Sequence, residues 1–400
     1  MSLSMMPRFS RDRMRRRRAF ERVTNIVLIC VISLVAAYLI TRPGGGSGFN
    51  PSEAVRKAIS QHGEGRAHVA SRTRSVDGND GASPTDNPVN YYGYKLRPGP
   101  YRVAEVSDLL LHDAQRNKDL HVRIFYPDVP GRYPVIVFSH GAGGSGNCCE
   151  ALTEHWASYG YVSIQPTHED SALERRDAGE ENLQSMQAVR DALKRPGLWE
   201  SRARDVSFVL DSLEELARRV PSLSGKMDVQ HIGMSGHSMG SFTTEAVGGA
   251  LVDLPGKPGT SFADARVKAV LCLSPQGPGQ FGLLETSFRT LRVPFLGVTG
   301  SNDNLGPIAN AEWHEKPFEL SPAGDKYQVF IEGANHMSFI SARTLQPGRG
   351  QQAENILGYT NSAAMAFWDA YLKNDSSARE YLQSDGLASF SKGAAKLQRR

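Results

Sequence analysis

Apolar residues are grouped in two ways along this chain, and each grouping predicts a different part of the molecule. Beyond about residue 91, short apolar runs recur at Tyr133 to Phe138, Tyr161 to Ile164, Val267 to Leu273, Pro294 to Val298 and Tyr327 to Ile331. Runs this short, without alternation, mark strands buried on both faces. Val229 to Met234 reads as a further short strand. Between the strands lie stretches with helical spacing. Cys149 to Tyr159, Ser241 to Leu251 and Asn361 to Lys373 read as helices. Trp199 to Val220 reads as one amphipathic helix with Val206, Val209, Leu210, Leu213 and Leu216 on one face. Earlier still, Arg102 to Leu111 and Leu120 to Tyr126 flank a turn-rich Asp113 to Asp119, which predicts a hairpin at a sheet edge. Apolar strands alternating with helices predict an α/β domain with a mostly parallel sheet of about eight strands, helices on both faces.

The second grouping is N-terminal. Ile26 to Ile40 is fifteen residues without a charge, eighteen if Val23, Thr24 and Asn25 are counted. Eighteen helical residues span about 27 Å, enough for a thin bilayer. Eight arginines precede the run within residues 1–22, and only Arg42 follows closely. The positive-inside rule then predicts a cytoplasmic N-terminus, a transmembrane signal-anchor at 23–40 and an extracytoplasmic remainder. A cleaved signal peptide, giving a secreted protein, is the competing reading. The long basic segment and the lack of an A-x-A-type site favour the anchor. Residues 41–90 are rich in Gly, Ser, Asp, Asn and Arg. They read as a polar tether, with a short helix at Pro51 to Ile59, leading to a catalytic domain at 91–400.

Charge and cysteine content narrow the functional classes. The formal charge is +4, but residues 1–22 carry +6, so the rest is near −2. Nucleic-acid binding has little support on that balance. Cys148 and Cys149 are adjacent, Cys30 lies in the anchor and Cys272 in a buried strand, which is neither a disulfide framework nor a zinc spacing.

The candidate chemistry sits at strand ends. Gly236-His237-Ser238-Met239-Gly240 has the G-x-S-x-G form of a nucleophile elbow between a strand and a helix. A hydroxyl needs a neighbouring base to take its proton, and the base needs an acid to fix its tautomer. In this architecture the chain order is Ser, acid, His. Asp303 follows the strand ending at Val298, and His336 follows the strand ending at Ile331. Glu312, Glu315 and Asp325 compete with Asp303 but lie further from the strand end. An oxyanion needs backbone donors. Met239, after the serine, is one candidate. The small-residue loop Ser139 to Gly146 supplies the other, at Ala142, with Gly141 adjacent. A phosphate-binding reading of that loop fails, because Lys and Ser/Thr do not follow at P-loop spacing.

Phe138 to Gly144, Trp156 to Val162, His168-Glu169-Asp170-Ser171, Arg204 to Asp211, the elbow and Gly333-Ala334-Asn335-His336 together resemble the α/β-hydrolase superfamily. The resemblance is to its platelet-activating-factor acetylhydrolase and dienelactone-hydrolase-like branch, with similarity to cutinase-like polyester hydrolases. It spans about residues 100–375. It implies an α/β-hydrolase fold and a serine esterase acting on a small-molecule or lipid-like ester, with no cofactor and no metal. Acetylhydrolases of the mammalian type carry their acid after the sixth strand, where this chain has Ser274-Pro275-Gln276. The polyester hydrolases carry it one strand later, as Asp303 would be. The expected activity is carboxylic-ester hydrolysis through an acyl-enzyme. Acyl transfer by the same residues and an inactive binding domain are the alternatives. Thr167 to Pro196, with a helix at Glu181 to Lys194, is either a lid or a solvated surface segment. Pro275 to Arg292 is placed to line the acyl side.

Overall fold

The computed structural model describes residues 93–172, 194–306, 309–340 and 350–400. In chain order the elements are β1 (Val103–Asp113), β2 (Lys118–Pro127), β3 (Tyr133–Ser139), α1 (Glu150–Ser158), β4 (Val162–Thr167), α2 (Pro196–Asp211), α3 (Leu213–Arg219) and β5 (Met227–His237). Then come α4 (Met239–Gly248), β6 (Val252–Leu254), β7 (Lys257–Thr260), β8 (Val267–Leu273), β9 (Phe295–Asn302), α5 (Ala311–Leu320) and β10 (Lys326–Asn335). The chain closes with α6 (Gly350–Leu372), α7 (Ser376–Gln383), α8 (Gly386–Phe390) and β11 (Ala395–Arg399).

One sheet runs in the order β1-β2-β4-β3-β5-β8-β9-β10-β11. Its centre, β4 to β10, is parallel throughout. The β1–β2 hairpin lies at one edge, as its turn residues predict, and β2 joins β4 antiparallel. Alternate side chains of each central strand serve opposite faces. Val135 and Val137 of β3 join a core with Val206 and Val209 of α2 and Phe242 of α4. Ile136 and Phe138 join another with Trp156 of α1 and Phe367 and Trp368 of α6. Covering both faces is what the continuous apolar strands require. Trp156 packs edge-on against Trp368 at 5.7 Å, both fully buried. Truncating either to Ala costs about 3–5 kcal/mol.

Three expectations need correction. The sheet has nine strands rather than about eight, because β11 adds antiparallel to β10 at the far edge. Its sequence, Ala-Lys-Leu-Gln-Arg, carries too little apolar character to show as a strand. The helix expected over Trp199 to Val220 starts at Pro196, a favoured first-turn position, and is broken at Ser212. There the side chain turns back to the Phe208 carbonyl (2.8 Å), a bond that competes with helix geometry. The apolar face runs through the break undisturbed, and Val206, Val209, Leu210, Leu213 and Leu216 are all buried. The last long helix begins at Gly350 rather than Asn361, since its first turns bury only Ala353, Ile356 and Thr360.

The anchor at 23–40, the tether at 41–90 and the possible helix at 181–194 lie outside the described residues, apart from Lys194 itself. Among the described residues, no helix is long and apolar enough to cross a membrane. Cys148, Cys149 and Cys272 are free thiols.

Candidate active site

β5 ends at His237 and α4 begins at Met239, so Ser238 alone makes the turn from strand to helix. Its backbone sits at φ 56° and ψ −119°. That left-handed conformation costs a residue with a side chain about 1–3 kcal/mol. The flanking glycines allow it. A Cβ at Gly240 would lie 1.9 Å from the Ser139 carbonyl oxygen, and one at Gly236 would lie 2.2 Å from the Gly240 oxygen. Neither site has room for a methyl group. Met239 stands in the first turn of α4, where amides lack intrahelical acceptors.

His336 lies just past β10, and Asp303 just past β9. His336 Nδ1 is 2.9 Å from Asp303 Oδ1, and Thr299 Oγ1 donates to Asp303 Oδ2 at 2.8 Å. Burial pushes the Asp303 carboxyl up, but the adjacent His314 and His336 outweigh it and hold it well below the usual carboxylate range. An ionised Asp303 keeps the His336 proton on Nδ1, which leaves Nε2 as the acceptor. Asp325, one of the competing acids, instead accepts from the Tyr371 hydroxyl at 2.7 Å.

Two further histidines support this pair. His237 donates from Nε2 to the His336 carbonyl at 2.7 Å and so ties the elbow to the β10 loop. Complete burial, with His336 close by, pushes the His237 pKa down to about 3, so the ring stays neutral. His314, on α5, donates from Nδ1 to the Pro275 carbonyl at 2.6 Å and turns Nε2 to within 3.3 Å of Asp303 Oδ1. Asp303, His314 and His336 are also the cluster whose ligand atoms lie within 4.8 Å of one another, a spacing suited to a metal ion. Within it Asp303 and His336 are joined by a hydrogen bond, whereas His314 Nε2 is buried without a hydrogen-bond partner.

The loop Ser139 to Gly146 passes directly over the elbow. A Cβ on Gly141 would lie 3.5 Å from Ser238 Cβ and 3.2 Å from His237 Nδ1. Beneath the loop is a buried polar network. Ser139 Oγ donates to His168 Nε2 at 2.8 Å, and His168 Nδ1 donates to Asp205 Oδ2 at 2.9 Å. Asp205 also accepts from Lys118 Nζ (2.8 and 2.9 Å) and from Arg116 (2.7 Å). Burial pushes Asp205 up, but the His168 hydrogen bond and these cations hold it at about 2. Burial, with the Arg202 charge, lowers His168 and lowers His140 further. Ser139, His168 and Asp205 are each 0% exposed.

The structure thus brings Ser238, Asp303, His336 and the Ala142 loop to one end of the sheet. Sequence reasoning missed His314, Thr299, Arg202 and the Ser139–His168–Asp205 relay. His237 was visible as part of the elbow, and His168 and Asp170 as part of a recognisable motif. His314 left no signal, being one polar residue on a helix of mixed character.

Over residues 97–254 the chain matches the chlorophyllase family. That span is less than half of its 400 residues. It runs from before β1 through the elbow and α4, and stops before Asp303 and His336. No curated protein matches the chain. The family match supports a likeness to the ester hydrolases of the α/β-hydrolase superfamily, and the mostly parallel sheet agrees with that architecture.

Proposed function

We propose that this protein is a serine carboxylic-ester hydrolase. The observation that carries the proposal is the His336–Asp303 hydrogen bond at the strand ends beside a serine in a strained elbow. In this reading His336 Nε2 takes the Ser238 proton as Oγ attacks the ester carbonyl. The Met239 and Ala142 amides bind the resulting oxyanion. The tetrahedral adduct collapses, His336 protonates the departing alcohol, and an acyl-enzyme forms. Water, deprotonated by the same imidazole, then releases the acid and restores the serine. The loop after β8, Ser274-Pro275-Gln276, offers no carboxylate, which favours the later acid position of polyester hydrolases over that of the acetylhydrolases.

The reading takes an apolar acyl group as the first substrate class to test. Trp199, Phe242 and Phe281 stack on one another with ring centroids 5.2 to 6.4 Å apart. Phe242 and Phe281 belong to the large core cluster that also holds Met239, and Trp199 and Ala142 pack against it. The matched family is named for chlorophyll, so that ester belongs in the substrate panel beside p-nitrophenyl esters of rising chain length and a polyester film. The whole chain in mild detergent should hydrolyse p-nitrophenyl acetate or butyrate far faster than Ser238→Ala. Equal rates would refute the hydrolase reading. Product transesterified onto added alcohols would indicate a transferase instead.

The proposal includes the N-terminal anchor, with the catalytic domain outside the cytoplasm, on the strength of the arginine-flanked apolar run. Protease added to intact cells should remove the domain. Protection until the cells are lysed would contradict that topology.

A further inference from the structure

The hydrolase reading names the Ala142 amide as an oxyanion donor but leaves open what aims it. Arg202, on α2, is 0% exposed and holds the loop from below. Its Nε and Nη2 form a two-pronged pair with Asp170 at 2.9 and 2.8 Å. Its remaining donors go to the loop: Nη1 to the His140 carbonyl at 2.8 Å and to Ser139 Oγ at 3.2 Å, and Nη2 to the Gly141 carbonyl at 3.3 Å. The Gly141 carbonyl is held further by Gly144 N–H at 3.0 Å and His140 Nδ1 at 2.6 Å.

A trans peptide points its C=O and its N–H in opposite directions. The His140 carbonyl shares a peptide plane with the Gly141 amide, and the Gly141 carbonyl shares one with the Ala142 amide. Drawing two successive carbonyls down onto Arg202 therefore turns two successive N–H groups up and away from it. That upper side is where Gly141 approaches Ser238 Cβ and His237. The next amide, Gly143 N–H, is taken by Asp170 Oδ2 at 3.0 Å. The loop thus offers the Gly141 and Ala142 amides to the elbow and withholds that of Gly143.

We infer that Arg202, clamped by Asp170, is a positioning residue that fixes the Gly141 and Ala142 amides as oxyanion donors. A buried ion pair is weak as a source of stability, because desolvation offsets most of its attraction, and apolar replacements are often neutral. Its strength lies in direction. A planar guanidinium fixes several acceptors at set angles, which a lysine ammonium does not.

The inference rests on the proposed hydrolase activity, so the test carries its own control. Oxo-ester and matched thiono-ester hydrolysis are compared for wild type, Arg202→Lys, Asp170→Asn and Lys118→Met. A thiono sulfur accepts hydrogen bonds poorly, so the oxo-to-thiono rate ratio reads the oxyanion donors and does not depend on how much enzyme is folded. Losing an oriented donor costs about 10²–10³-fold in kcat. Arg202→Lys and Asp170→Asn should lower kcat for the oxo ester by about 10–10³-fold with KM nearly unchanged, and should collapse the ratio. Lys118→Met disturbs the Asp205 end of the network and should lower melting temperature without moving the ratio. An unchanged ratio in the Arg202 and Asp170 variants, or equal loss on both esters, would overturn the positioning role. Wild type no faster than Ser238→Ala would instead overturn the hydrolase reading on which it rests.

Discussion

Two groupings of serine, histidine and aspartate stand out among the described residues, and our proposal assigns chemistry to only one of them. Ser139, His168 and Asp205 form a closed relay, with Oγ to Nε2 at 2.8 Å and Nδ1 to Oδ2 at 2.9 Å. Asp303 and His336 make the corresponding acid–base contact at 2.9 Å, and His237, the residue before Ser238, donates to the His336 carbonyl at 2.7 Å. Hydrogen bonding separates the two: Ser139 is paired with His168, whereas no hydrogen bond joins Ser238 to His336. Surroundings separate them as well. Ser139 is the last residue of a strand and fully buried, whereas Ser238 is half-buried, at positive φ, heading a helix whose first amides are unspent. The loop that Ser139 begins passes close to Ser238, where a Cβ on Gly141 would lie 3.5 Å from Ser238 Cβ. A relay becomes catalytic through access and a place for the oxyanion; without them it is a brace. In our proposal the brace lies beneath the very loop that the Ser238 site would use.

The comparison can be broken most sharply at the two serines. Ser238→Ala should lower ester-hydrolysis kcat by about 10⁴–10⁶-fold. Ser139→Ala should leave kcat within about tenfold and instead lower stability by about 1–2 kcal/mol, the cost of unpairing buried polar groups. Steady-state kinetics beside thermal denaturation separates them. Equal losses at both serines would erase the distinction.

The acids give the next largest contrast. Asp303→Asn should cost about 10⁴-fold in kcat through loss of the His336 tautomer. Asp205→Asn should cost mainly stability, about 3 kcal/mol, because Lys118 and Arg116 lose a buried partner. Chemical denaturation of both variants, with kcat measured alongside, checks the pair.

Acid stability sharpens the picture further. His237 is held at about 3 against an ordinary 6.5, and His140 and His168 are also lowered. The unfolded chain binds these protons more readily than the folded one, so stability is greatest above pH 6.5 and falls as pH drops below it. Each such histidine removes up to about 1.4 kcal/mol per pH unit until its folded pKa is reached. Asp205, lowered from 3.8 to about 2, contributes stability that is present above pH 3.8 and lost as pH falls toward 2. Calorimetric melting between pH 7 and 4 should therefore drop steadily, and His168→Asn should drop less steeply. A flat profile would contradict neutral buried imidazoles. The smallest effect is expected for Thr299→Val, which removes one hydrogen bond from Asp303 and should lower kcat by about 3–10-fold, or about 1 kcal/mol.

Much of the fold was legible because β3, β8, β9 and β10 are largely buried and carry short apolar runs, whereas β5 is buried only from Ile232 onward. Ser238, Asp303 and His336 drew notice because each follows a strand, and the structure places all three at strand ends. What stayed hidden lacked a periodic signature. The break at Ser212 leaves the apolar face of α2 and α3 intact, and β11 has almost no apolar face at all. The relay beneath the Ser139 to Gly146 loop joins residues from β3, the end of β4 and α2. Polar residues so far apart in sequence meet only because the sheet is already formed, and no local pattern encodes their partnership.

Covalent labelling tests the central claim most directly. The whole chain, treated with an organophosphorus ester that phosphorylates activated serines, is digested and its peptides are weighed. The account predicts one adduct, on Ser238, appearing in step with loss of ester hydrolysis, and none on Ser139. An adduct on Ser139, or ester hydrolysis that persists with Ser238 fully modified, would contradict it.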